Sequence, residues 1–195
     1  MKISVGQKIP NATLSYFGSD GVSHIELTDL LKGKKVVIFA LPGAFTNTCS
    51  SKHLPGFIEK SALIKNEGVD EIICISVNDP FVMSKWGETT GASDAGIKML
   101  ADPASDFTKS IGTEFTVPPI GFFNRSKRCA FIVDNQEIVY AYLDDASGVV
   151  TGSSAEAVLL KLQDSWSLSI FLANLISKIV MDPSSWVVNK TSTVL

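Results

Sequence analysis

Short, unbroken apolar runs set the first pattern along this chain. Lys35 to Leu41 (KVVIFAL) and Glu71 to Val77 (EIICISV) are rich in β-branched residues and are bounded by Gly, Pro, Asn and Asp. Runs of this kind read as strands buried on both faces. Between them, helical spacing extends from about Thr48 to Lys65, and Pro55-Gly56 predicts an interruption within it. Two all-apolar strands joined through a helix predict a βαβ unit in a sheet covered on both sides. Next come a helix from Phe81 to Thr89, capped by Asn78 or Asp79 with Pro80 in its first turn, a strand from Ile97 to Ala101, and a brief helix from Ser105 to Ser110. Cys129 to Val133 and Ile138 to Leu143 flank the turn-forming Asp134-Asn135-Gln136-Glu137 and predict a hairpin. Ser153 to Leu162 reads as a closing helix, with Ser153 and Glu156 spaced as in a capping box.

The order βαβαβ(α)ββα predicts an α/β chain with a mixed central sheet and helices on both faces, the arrangement of a thioredoxin-like fold, over residues 1–165. A different character follows. Leu168, Leu172, Leu175 and Ile179 recur at helical spacing, so Trp166 to Val180 predicts an extra C-terminal amphipathic helix, followed by a polar tail. Residues 166–195 therefore form an extension whose apolar stripe packs on the domain or on a partner subunit, with a peripheral membrane helix as the alternative.

Composition narrows the function. With 45% hydrophobic and 19% charged residues the chain folds around a sizeable core. Seventeen basic against twenty acidic side chains, with only short local basic groups, argue against nucleic acid as a partner. The opening MKISVGQKIP lacks the apolar run of a secretory signal, so the expected address is cytoplasmic. Three cysteines are too few for a disulfide scaffold, and two histidines with no CxxC or HxxxH pair predict no metal site. No cofactor is implied, and any cysteine chemistry must be that of single thiols.

Cys49 is the candidate. It follows the first buried strand at the start of a helix, and ligands in open α/β sheets gather at the carboxyl ends of strands. A thiol in a first helical turn faces unpaired backbone N–H groups and the positive end of the helix dipole, which favour the reactive thiolate. Thr46, three residues earlier, offers a hydroxyl to the sulfur and to a bound substrate. Attack by a thiolate also needs the charge on the departing group to be stabilised, a task for an arginine.

The segments Leu41-Pro42-Gly43-Ala44-Phe45-Thr46, Cys49 and His53-Leu54-Pro55-Gly56 closely resemble the active-site signature of type II, or atypical two-cysteine, peroxiredoxins. Val69 to Met83 with Trp86-Gly87, and Leu100-Ala101-Asp102 with Phe107-Thr108-Lys109, are similar to two further landmarks of that family, so the resemblance reaches from about residue 3 to residue 163. It implies a thioredoxin-like thiol peroxidase acting on hydrogen peroxide and alkyl hydroperoxides in antioxidant defence, as a homodimer. Cys49 would be the peroxidatic sulfur, Pro42 and Thr46 its cluster partners, and Arg128 the catalytic arginine that stabilises the thiolate and polarises the peroxide. Asn47 stands where the family often has proline, and Cys129 where an aromatic is usual.

The resulting sulfenic acid must be reduced through another thiol. Cys74 matches the resolving cysteine proposed for plant-type members, and the chain-end position used by others is Gly152 here. Two routes stay open: resolution by Cys74, or Cys74 as a core residue with direct reduction by glutaredoxin, thioredoxin or glutathione. A non-catalytic redox relay or sensor, or a chaperone, is the competing class of function. The set Pro42, Thr46, Cys49 and Arg128 favours turnover over either.

Overall fold

From Val36 to Leu41, within the first of the two apolar runs, every side chain is buried, and successive residues enter different cores. Val37, Phe39 and Leu41 join one apolar cluster while Val36, Ile38 and Ala40 join another, the period-two alternation of a strand covered on both faces. The computed structural model describes residues 1–145 and 148–164. The helix predicted for Trp166 to Val180, and the tail after it, lie outside the described residues.

In chain order the elements are β1 (Thr13–Gly18), β2 (Gly21–Glu26), α1 (Leu27–Leu31), β3 (Lys35–Leu41), a π-turn (Cys49–His53) running into α2 (Leu54–Asn66), and β4 (Glu71–Ser76). Then follow α3 (Pro80–Thr90), β5 (Ile97–Ala101), α4 (Asp106–Ser110), β6 (Glu114–Val117), β7 (Phe122–Ser126), β8 (Cys129–Asp134) and β9 (Glu137–Leu143). A last helix, α5, occupies residues 155–164. The main sheet has the order β2-β1-β5-β4-β3-β8-β9, with β3, β4 and β5 mutually parallel and the outer strands antiparallel. Leu54, Phe57 and Ile64 of α2, Met83 and Trp86 of α3, and Ala155, Val158 and Leu162 of α5 fill one face. Leu27, Leu30 and Leu31 of α1 and Phe107 of α4 fill the other. The predicted mixed sheet with helices on both faces is therefore the observed architecture.

Two local readings change, and one of two alternatives is decided. Pro55 does not interrupt its helix: it lies in the first turn of α2, where a missing N–H costs little, and the preceding π-turn closes through the Leu54 N–H onto the Cys49 carbonyl. The closing helix is capped by Ser154, whose Oγ accepts from the Ala157 N–H at 3.1 Å, rather than by Ser153, which is buried and engaged elsewhere. The cap of α3 is Asp79, accepting from the Val82 N–H at 2.9 Å. The β8–β9 turn is as predicted, with Asn135 and Gln136 both at positive φ as a two-residue type I′ connection requires. Two hairpins, β1–β2 and β6–β7, went unpredicted.

Candidate active site

At the end of β3 the chain turns through Pro42 to Phe45 and enters helix at residue 47, the first helical bond running from the Ser50 N–H to the Thr46 carbonyl at 3.0 Å. Cys49 thus sits in the first turn, with only 1% of its surface exposed. Its Sγ accepts a hydrogen bond from Arg128 Nη2 at 3.4 Å. Strand register explains the meeting: β8 pairs antiparallel with β3, Cys129 opposite Ala40, so residue 128 emerges beside the strand end from which the Cys49 loop departs. Arg128 is 1% exposed, and its Nε donates to the Val149 carbonyl at 3.1 Å. A planar guanidinium anchored through Nε has a fixed direction for its remaining donors.

Pro42, Thr46, Cys49 and Arg128 all line one open cleft of about 190 Å³, with Phe122 as an apolar wall. The Thr46 hydroxyl donates to the Gly43 carbonyl at 2.8 Å, which leaves its oxygen able to accept. Between them Phe45 is held at φ 60°, a conformation rare for an aromatic residue and costing about 1–3 kcal/mol. Strain of this kind persists only where surrounding bonds impose it.

Asn78 braces the same loop. Its Oδ1 accepts from the Ala44 N–H at 3.0 Å, from Ser76 Oγ at 2.8 Å and from Arg125 Nη1 at 3.3 Å. Arg125 also donates to the Pro42 carbonyl at 3.2 Å and lies over the Phe122 ring, 5.2 Å from its centroid. Partial burial lowers the Arg125 pKa, while the nearby Cys49 charge opposes that shift. Sequence reading passed over Arg125 and Asn78 as site residues, although Asn78 stood inside a motif already singled out and Arg125 lies three positions before Arg128.

Cys74 is not in the cleft. It is fully buried in β4, opposite Phe39 of β3, in the apolar cluster beneath Cys49. Burial pushes its thiol well above the ordinary range, and the Cys49 charge pushes the same way. Cys129 faces the opposite core, and burial pushes its thiol up to about 12. All three cysteines are free.

His53, at the end of the π-turn, is 1% exposed and packs edge-on against Phe39 and Phe57, which stack at 3.9 Å. Its Nε2 lies 2.9 Å from the Ser153 carbonyl, so that nitrogen carries the hydrogen. Burial, followed by the Arg128 charge, lowers its pKa to about 3. Ser153 Oγ in turn donates to the buried carboxylate of Asp144.

The chain matches the Redoxin family over residues 4–159. It is 43% identical over 161 residues to peroxiredoxin-2B of Arabidopsis thaliana, covering 82% of this chain and 98% of that protein. It is 45% identical over 164 residues to the chloroplastic peroxiredoxin-2E-2 of Oryza sativa subsp. japonica, covering 82% and 72%. Its fold is similar to reduced Prx3 of Vibrio vulnificus in complex with hydrogen peroxide, at 44% identity and a TM-score of 0.77, covering 82% and 99%.

Proposed function

Because this chain belongs to the redoxin family and is a thiol-dependent peroxidase of the peroxiredoxin type, we propose that Cys49 is its reacting sulfur, oriented and charge-stabilised by Arg128, Thr46 and the Pro42 loop. The observation that carries this reading is the 3.4 Å contact between Arg128 Nη2 and Cys49 Sγ inside a cleft sized for a small hydroperoxide. The Cys49 thiolate attacks the terminal oxygen of hydrogen peroxide or an alkyl hydroperoxide. An S–O bond forms as the O–O bond breaks, and the proton of the attacked oxygen passes to the departing one, which leaves as water or alcohol. Thr46, its own hydrogen engaged on the Gly43 carbonyl, accepts from the peroxide and holds it in line. Arg128 opposes the negative charge that moves from sulfur to the leaving oxygen.

Sulfur is thereby oxidised by two electrons to the sulfenic level, and an external thiol restores it. That thiol attacks the sulfenic sulfur, water leaves, and a second thiol breaks the mixed disulfide. Thioredoxin, glutaredoxin or glutathione supplies these thiols in our reading. The buried, protonated Cys74 is a poor nucleophile where it stands, which supports the external route over internal resolution. The exposed Phe45 and Phe81 support assembly as a homodimer, which sedimentation tests directly.

Peroxide consumption with each reductant, compared between the native protein and Cys49→Ser, tests the assignment. Turnover should vanish in the variant; a variant that still consumes peroxide would place the reacting sulfur elsewhere.

A further inference from the structure

Arg128 is useful to the sulfur only while its guanidinium points there, and its direction depends on a loop. Val149, whose carbonyl takes the Nε hydrogen bond, lies between β9 and α5. A loop carbonyl is only as fixed as the loop that carries it. We propose that Asp144 is a positioning residue that sets the direction of the Arg128 guanidinium, an inference that rests on the catalytic reading of Arg128 given above.

The Asp144 backbone N–H donates to the Arg128 carbonyl at 2.9 Å, tying residue 144 to the main chain of the arginine. Its carboxylate, 2% exposed, accepts from the Thr151 N–H at 3.1 Å and from Thr151 Oγ1 at 2.6 Å, which closes the loop on both sides of Val149. The second carboxylate oxygen accepts from Ser153 Oγ. Ser153 also meets His53 through its carbonyl, and His53 ends the π-turn that begins with Cys49. One buried residue therefore ties, through its main chain, to the arginine's backbone and, through its carboxylate, to the loop that orients the arginine's side chain and to a strap reaching the turn that bears the sulfur. Three donors converge on it, a set that a carboxylate satisfies and that an amide, with a donor in place of one oxygen, does not. Peroxide need not touch Asp144 for its loss to be felt, because a displacement of about 1 Å at a charge-stabilising group costs rate steeply.

The test is a double-mutant cycle on peroxide reduction followed in single turnover. Asp144→Asn should lower kcat/KM for hydrogen peroxide about ten- to hundredfold, yet change it by less than about twofold when Arg128 is already Gln, since the group it positions is gone. Thr151→Val, which removes one hydroxyl and leaves the charge in place, should show the same pattern with a smaller loss, and it carries the test if Asp144→Asn does not fold. Additive losses in the two backgrounds, or a native rate in either single variant, would overturn the proposal while leaving Arg128 as assigned. A near-native rate for Arg128→Gln alone would instead remove the reading on which it rests.

Discussion

Arg128 Nη2 and Cys49 Sγ stand 3.4 Å apart, although 79 positions separate the two residues along the chain. The contact is made where β3 and β8 run side by side, and neither partner is more than 1% exposed. A charged donor aimed at sulfur in a water-poor site is worth far more than one in solvent. Arg128→Gln should accordingly lower kcat/KM for hydrogen peroxide by about a hundred- to a thousandfold, as removal of a charge-stabilising donor does elsewhere. Stopped-flow measurement of peroxide reduction settles it, and a loss within about threefold would contradict the assignment.

Asn78 is expected to matter for shape rather than chemistry. Three donors meet on its Oδ1, among them the Ala44 N–H and Arg125 Nη1, and together they hold the loop in which Phe45 is strained. Asn78→Ala should cost about 1–3 kcal/mol of stability through the donors left unpaired. Peroxidase activity should fall with it. Chemical denaturation and kinetics on the same sample check both, and a fully active variant would show that the loop keeps its form without the amide.

A pH dependence follows from His53. Its folded pKa is about 3 against an ordinary 6.5, because burial and the Arg128 charge disfavour the proton. Above 6.5 both folded and unfolded states are neutral there, and its contribution is complete. As pH falls from 6.5 toward 3, the unfolded chain takes up a proton that the folded one refuses, so stability is lost through that window. Between pH 7.5 and 5 the native protein should lose about 2 kcal/mol more than His53→Gln does. Denaturant midpoints across pH give the comparison, and parallel curves for the two proteins would show that His53 takes up its proton without unfolding.

Cys74→Ser separates chemistry from packing. With an external reductant, turnover should stay within about twofold of native, while burying a hydroxyl in place of sulfur costs about 1–3 kcal/mol. Mass spectrometry of the native protein after one equivalent of peroxide should find oxygen added at Cys49 without the two-hydrogen loss of an internal bridge. A Cys49–Cys74 disulfide in that spectrum would restore Cys74 as the resolving residue.

The parts of the fold visible in sequence were those that bury most. β3 and β4 carry unbroken apolar runs because both faces are covered, and the start of the Cys49 helix is marked by the proline and glycine that end β3. The strands that escaped notice bury few side chains, Leu14 and Ser15 in β1 and Ser126 in β7. β2 has no fully buried side chain, and β6 has none either, so no two-residue alternation marks them. Within the site, Pro42, Thr46, Cys49 and Arg128 were legible through motifs. Asp144 was not, and although His53 stood in the signature and Ser153 at a helix start, their link to Asp144 was hidden, because it is polar and spans 100 positions between His53 and Ser153. Local spacing carries no trace of such a contact.

The sheet that divides the two cores also divides the sulfur atoms by vulnerability. Cys129 lies behind the strands, and Cys74 is sealed beneath the helical layer, so an oxidant arriving from solvent meets Cys49 first. With Cys49 as the proposed reacting sulfur, excess peroxide that drives it past the reversible stage should stop turnover while the protein keeps its fold.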